Sequence, residues 1–295
     1  MLTVSVTELI DFMDCRRKWT LRHQSRLQPK HRPPNLASGT VVHATIGEAL
    51  GQTGRGQWLD DIAEERLMAE FEHHDNQIEQ VKKYLPGVKR ALAQCPAWLW
   101  EEKGWGIEER LTLVVPLVDN LVASNLIDGG PPEILGPLAV ELVGRPDLYR
   151  VHSIDGGESI ELVEIKTTDN DPLDYLLWNP QHRYYAAMLQ ILHPTALITF
   201  RYLCLPTQGK YKEHSPWVFT ERAFHNTMDD LHYRCRDWAT ALGWIAAYNQ
   251  PNEGSRCKWC DFAPICTAHI AGIGGGAGGV IDEQFTVRPP RAGGG

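Results

Sequence analysis

The chain has 295 residues, 43% of them hydrophobic and 22% charged, a balance that suits a soluble globular protein of one large domain or two small ones. No run of eighteen apolar residues occurs, and the amino terminus MLTVSVTELIDFMDC has no basic stretch ahead of an apolar one. Neither a membrane span nor a secretory leader is therefore expected, and a cytoplasmic, reducing setting follows. The formal net charge of −8 gives no general attraction for nucleic acid and leaves such binding to local patches.

In chain order, Val4 to about Leu21 reads as a helix, with Ser5 or Thr7 as its cap. Arg16, Arg17, Lys18, Arg22, Arg26, Lys30 and Arg32 fall in a stretch without an acidic residue. They form either a solvated helix face or an edge that contacts phosphates. After Pro29, Pro33 and Pro34 a second helix starts near Gly39, with Val41, Val42, Ile46 and Leu50 on its apolar side. Residues of about 55–105 have helical periodicity and read as a helical insertion. Strand patterns follow at Arg110–Pro116, Leu138–Val151 and Ser159–Thr168, with Pro131-Pro132 closing a loop after the first. The last two are separated by Asp155-Gly156-Gly157, which reads as a hairpin turn. A helix over Pro180–Leu192, a strand over Ala196–Leu205 and a long helix over Glu221–Tyr248 complete the pattern. Residues 1–270 are thus expected to form an α/β domain with a mixed sheet flanked by helices. The glycine-rich residues 271–295 are expected to be a flexible tail.

The hairpin carries the chemistry. Its first strand contains Gly144-Arg-Pro-Asp147 and its second Val163-Glu164-Ile165-Lys166-Thr167, with the two acids seventeen residues apart. Alternation puts Glu164 and Lys166 on one face, with Asp147 across from the Glu164–Ile165 region. Two carboxylates, the Ile165 backbone carbonyl and waters would suit a hard divalent cation such as Mg²⁺. Such an ion can polarise a phosphate and activate water, with Lys166 holding that water. The plainer alternative is an exposed ion pair. Against it stands the apolar context LVEIK, since a strand buried on both faces tolerates charge only when it is paired or metal-bound.

Seven cysteines in a reducing compartment point to metal ligands rather than to disulfides. Cys95, Cys204 and Cys235 lie in apolar or helical contexts and read as core. Cys257, Cys260 and Cys266 have C-x₂-C-x₅-C spacing in a Pro- and Gly-rich loop, and Cys15 is the candidate fourth ligand. Four thiolates suit either structural zinc or an iron–sulfur cluster, and Cys15 could also be an unrelated buried thiol.

Taken together, these segments resemble the RecB-like branch of the PD-(D/E)XK nucleases over about Thr3–Thr267. The motifs come in family order: Gly39-Thr-Val-Val-His43, Gly144-Arg-Pro-Asp147, Val163-Glu164-Ile165-Lys166 and Gln181-His-Arg-Tyr-Tyr185. The resemblance implies that His43 is a metal ligand beside Asp147 and Glu164, and that Gln181 and Tyr185 line the site. Tyr184 offers another register for the last motif. It also implies a 4Fe-4S cluster on Cys15, Cys257, Cys260 and Cys266 that ties the two ends of the domain together. In this the chain is similar to AddB-type recombination nucleases and to CRISPR-associated RecB-like exonucleases. The implied activity is a Mg²⁺- or Mn²⁺-dependent DNA exonuclease for single strands or DNA ends, with Arg16, Arg17, Lys18 and Arg22 as DNA contacts. Recombination, helicase or CRISPR-adaptation proteins would be its partners, because the chain has no G-x-x-x-x-G-K-[ST] motor motif of its own. An inactive DNA-binding module and an endonuclease on the same fold are the alternatives.

Overall fold

The computed structural model describes residues 1–30, 34–51, 59–72, 76–117, 139–154, 156–168, 179–242, 257, 260–271 and 276–289. The chain opens with strand β1 (Leu2–Ser5), helices α1 (Val6–Asp14) and α2 (Arg16–Trp19), a π-helical turn (Thr20–Gln24) and β2 (Leu27–Pro29). Helices α3 (Pro34–Gly51), α4 (Leu59–Glu70), α5 (Gln77–Ala93) and α6 (Ala97–Glu101) follow. Next come β3 (Trp105–Ile107), β4 (Leu111–Pro116), β5 (Ala139–Gly144), β6 (Leu148–Ile154) and β7 (Gly157–Lys166). The chain continues through α7 (Gln181–Leu192), β8 (Leu197–Cys204), β9 (Lys212–Val218) and α8 (Glu221–Leu242). It closes with α9 (Ala263–Ile270), α10 (Gly276–Gln284) and β10 (Phe285–Val287). Two compact units result: Met1–His31 with Thr112–Val143 and Asp229–Gly295, and Arg32–Leu111 with Gly144–Met228.

The second unit is built on a mixed sheet of order β3-β6-β7-β8-β9. The hairpin β6–β7 is antiparallel, with Ile154 opposite Gly157 and Leu148 opposite Val163. Its turn passes through Gly156 at φ +83°, a conformation that costs glycine little. Strand β8 then pairs with β7 in parallel, a return that needs a crossover, and α7 lies within it. At the start of α7, just before its N-cap Pro180, Asn179 Oδ1 accepts the Gln181 N–H at 3.0 Å. Val163, Ile165 and Leu148 pack under α3, α4 and α5 with Val42, Ile46, Leu67 and Phe71. These helices are the insertion expected from the periodicity. Edge strand β9 escaped the sequence reading because it carries Pro216, which an edge tolerates and a central strand does not.

In the first unit β5 is flanked by β1 and β4, and β1 runs parallel to it with Val4 opposite Leu142. The helix expected over Val4–Leu21 is broken. Ser5 caps α1 by accepting the Glu8 N–H at 3.1 Å, and Cys15 is extended at φ −161° before the chain turns helical again. The flexible tail is also corrected over its described part. α10 packs Val280 and Ile281 against Leu21, Leu27, Phe262 and Ile265, and β10 pairs antiparallel with β2. Glycine richness hid the three apolar side chains, Val280, Ile281 and Phe285, that dock this segment. Arg32, the Pro131-Pro132 loop, the end of the long helix towards Tyr248 and residues 290–295 lie outside the described residues. Among those described, no helix is long and apolar enough to cross a membrane.

Phe285 is 5% exposed and stacks on Phe262 with ring centroids 5.5 Å apart. Phe285→Ala is expected to destabilise the protein by about 3 kcal/mol, the low end for a buried phenylalanine. The shift in urea midpoint checks this; a flexible tail would give none.

Candidate active site

Strand β7 buries two carboxylates, Glu161 at 6% and Glu164 at 3% exposure. Three residues apart, they face opposite sides of the sheet. Glu161 is neutralised by two guanidinium groups: Arg150 lies 2.9 Å away and Arg201 also pairs with it. Glu164 has less. Lys166 Nζ donates to its Oε1 at 2.6 Å, while its Oε2 is buried without a hydrogen-bond partner among the described residues. A buried carboxylate oxygen left bare is costly, and a cation is the natural partner for it.

Asp147 precedes β6 by one residue, so the register sets it opposite Glu164 on the same face. Its Oδ2 accepts the Ile165 N–H at 2.8 Å, and its Oδ1 lies 3.3 Å from His43 Nδ1. His43 comes from α3. Burial opposes charge on its imidazole, but the Asp147 carboxylate outweighs this and raises its pKa. Burial likewise disfavours the Asp147 anion, yet His43 holds its carboxyl below the usual range. Glu164 goes the other way: burial and the charge of Asp147 raise it against the pull of Lys166. The site is thus short of positive charge at Glu164.

Gln181 and Tyr185 share one face of α7, and Gln181 Nε2 donates to Tyr185 Oη at 3.2 Å. Tyr185 is the residue of that motif that reaches the acids. Its hydroxyl pKa is raised by burial and by Glu164, and it accepts the Arg145 N–H. Tyr184 is fully buried in the core. Gly144 has a steric reason to be glycine, since a Cβ there would stand 2.6 Å from Tyr185 Cε1. Glu108 was missed by sequence reasoning. It lines a small cavity with His43, Asp147 and Ile165, its N–H donates to the Asp147 carbonyl at 3.1 Å, and it holds φ +46°, a strained value for a non-glycine residue. No pattern in Gly106-Ile-Glu-Glu-Arg110 signals it.

The sequence-predicted cysteines lie in the first unit. Burial raises the Cys260 and Cys266 thiols; Cys260 feels the charge of Cys15, and Cys266 feels both of the others. Cys15, Cys260 and Cys266 are thus near enough to influence one another electrostatically. Each faces a donor: the Lys18 N–H lies 3.5 Å from Cys15 Sγ, the Phe262 N–H points to Cys260 and Arg17 to Cys266. Cys257 is exposed, and its N-terminal neighbours and residues 258–259 are outside the described residues. Cys95, Cys204 and Cys235 are buried as core. As the side chains stand, no three His, Cys, Asp or Glu among the described residues are grouped closely enough to hold a metal ion. At the acidic site, Lys166 and His43 occupy one oxygen each of the two acids.

The basic stretch differs from expectation. Arg16 pairs with Asp237 at 2.6 Å, Lys18 with Asp11 at 2.6 Å, and Arg22 with both Asp11 and Asp261. Arg17 is buried beside Cys266. These four residues do not form an edge of free cations for phosphate contact. The sequence interval without acids was misleading because its partners lie outside it: Asp11 in the preceding helix, and Asp237 and Asp261 from more than two hundred residues away.

A mixed sheet with two acids and a lysine at the end of a buried strand has the marks of a metal-dependent nuclease. The chain belongs to the PD-(D/E)XK nuclease superfamily, whose model matches residues 3–267. Among solved structures, a candidate exonuclease from Eubacterium rectale aligns with 87% of this chain and 86% of its own, at 11% identity and a TM-score of 0.42. No curated protein matches the sequence.

Gly144→Ala is expected to push Tyr185 off Gln181, lowering stability by about 1–3 kcal/mol as overpacking does and lowering nuclease activity. Thermal melting and a cleavage assay check the pair, and an unchanged melting temperature would refute the close contact.

Proposed function

We propose that the chain is a Mg²⁺- or Mn²⁺-dependent DNA exonuclease of the RecB-like branch that hydrolyses phosphodiester bonds in single strands or at DNA ends. The observation that supports it best is the bare, buried Oε2 of Glu164, on the face it shares with Asp147. Asp147, Glu164, the Ile165 carbonyl and His43 would hold the divalent ion. When bound, that ion supplies charge neutralisation at the phosphate and acidifies a water molecule. The protein's part is positional. Lys166 orients the attacking water and, beside Glu164, can give or take its proton. Tyr185, fixed by Gln181 and the Arg145 N–H, closes the other side of the carboxylates.

Asp147→Ala, Glu164→Ala and Lys166→Ala should each abolish cleavage of end-labelled DNA, and EDTA should abolish it in the wild type. Robust cleavage by purified Glu164→Ala would sink the assignment. Products shortening stepwise from one end support an exonuclease, and products of internal cuts an endonuclease.

The four cysteines are proposed to hold a 4Fe-4S cluster, with structural zinc as the competing metal. N–H and guanidinium donors aimed at Cys15, Cys260 and Cys266 suit thiolate ligands of either. The cluster would fasten α2 to the segment before α9. Protein isolated without oxygen should be brown and contain iron and acid-labile sulfide. Cys15→Ala should lose the iron as fully as Cys260→Ala or Cys266→Ala, whereas Cys235→Ala keeps it. Iron retained in Cys15→Ala, or zinc in place of iron, would overturn the cluster.

Partners in recombination, DNA unwinding or CRISPR adaptation are proposed from the RecB-like resemblance alone.

A further inference from the structure

Beyond the acids, β7 runs out through Lys166 into Thr167 and Thr168. Both threonines line a groove of about 1410 Å³, its open mouth included, with Ser38 of α3 and Lys83, Tyr84 and Arg90 of α5. Its walls thus belong to the elements that carry the site: β7 bears Glu164, and α3 bears His43 little more than a turn beyond Ser38. For a chain of net charge −8 its lining is unusual, since it includes two cations and no acidic residue among the described residues.

We propose that this groove is the subsite that guides a single-stranded polynucleotide, seating the phosphates next to the scissile one. The inference rests on the nuclease reading above. Lys83 is exposed and supplies a mobile charge, poised 5.2 Å from the Tyr84 ring. Arg90 is held by the Thr207 carbonyl, to which Nη1 donates at 2.7 Å, and its remaining donors stay available for an anion. Thr167 Oγ1 is buried without a hydrogen-bond partner among the described residues. A turn about χ1 would give it to a phosphate oxygen. Backbone charge and hydroxyls with one aromatic edge are what a strand bound without sequence preference requires.

Two substitutions test this. Lys83→Glu should weaken binding of a labelled single strand of about 12 nucleotides, measured in EDTA, on the order of tenfold at low salt. The slope of log K against log salt should fall by about 0.7 for each lost contact. Thr167→Val removes only a hydroxyl that has no hydrogen-bond partner among the described residues, so it should weaken binding while leaving the melting temperature equal or higher. In kcat/KM, the loss from Lys83→Glu should be larger for the long strand than for a dinucleotide, whereas a folding defect would reduce both alike. An unchanged salt slope in Lys83→Glu, or equal losses at both lengths, would overturn the groove while the wild type still cleaves. A loss as large on blunt duplex as on the single strand would overturn the single-strand assignment. A wild type that cleaves no DNA with either metal would overturn the nuclease reading itself, and the groove with it.

Discussion

Keeping the carboxylate of Glu164 inside a sheet is the constraint on which the second unit depends. A buried charge must be matched, and β7 shows the two ways of doing so. Glu161 is matched by fixed guanidinium groups and becomes part of the framework. Glu164 keeps one oxygen bare, and its neighbour Asp147 adds a second negative charge instead of relieving the first. The framework must therefore be rigid enough to hold two acids near each other against their repulsion. The β6–β7 register, the Ile165 N–H on Asp147 and the lysine two residues beyond Glu164 provide that rigidity. The same excess of negative charge is what makes the place receptive to a cation.

The first unit handles charge differently. Asp11 is nearly buried, and Lys18, Arg22 and His23 surround it. Burial opposes its ionisation, but these partners hold its carboxyl well below the usual range. Through Arg22 the network reaches Asp261, next to Cys260. The cations of α2 and the following turn thus brace the cysteine segment from the amino-terminal side, together with Arg17 at Cys266.

Much of the site was legible in the sequence because its chemistry is local. Strand alternation and a short Gly turn suffice to put Asp147 opposite Glu164, and i,i+4 spacing on α7 to join Gln181 to Tyr185. Whatever depends on distant partners was less legible. The run from Arg16 to Arg22 reads as a solvated face or a cationic edge until Asp11, Asp237 and Asp261 fold onto it. Glu108 has no motif, since its place beside Asp147 comes from the pairing of β3 with β6. The α10–β10 segment was hidden by its glycines, which depress helix propensity locally while three apolar side chains decide the packing.

Net charge is a poor guide to what a chain can bind, for a physical reason. Many of the described cations, Arg16, Lys18, Arg22, Arg66 and Arg150 among them, lie within 4 Å of a carboxylate, and at that range their fields cancel beyond a Debye length of about 8 Å. What an approaching polyanion meets is the residue of that cancellation. Around the site the residue has two parts: an acidic point at Asp147 and Glu164, and the acid-free lining that carries Lys83 and Arg90. The acidic point alone would repel a phosphate. Under the proposed function a divalent ion would reverse its sign, and the cationic lining and the loaded site would then attract the same strand in series. Binding of the ion and binding of the strand should therefore each favour the other, a coupling that follows from charge placement and requires no conformational change.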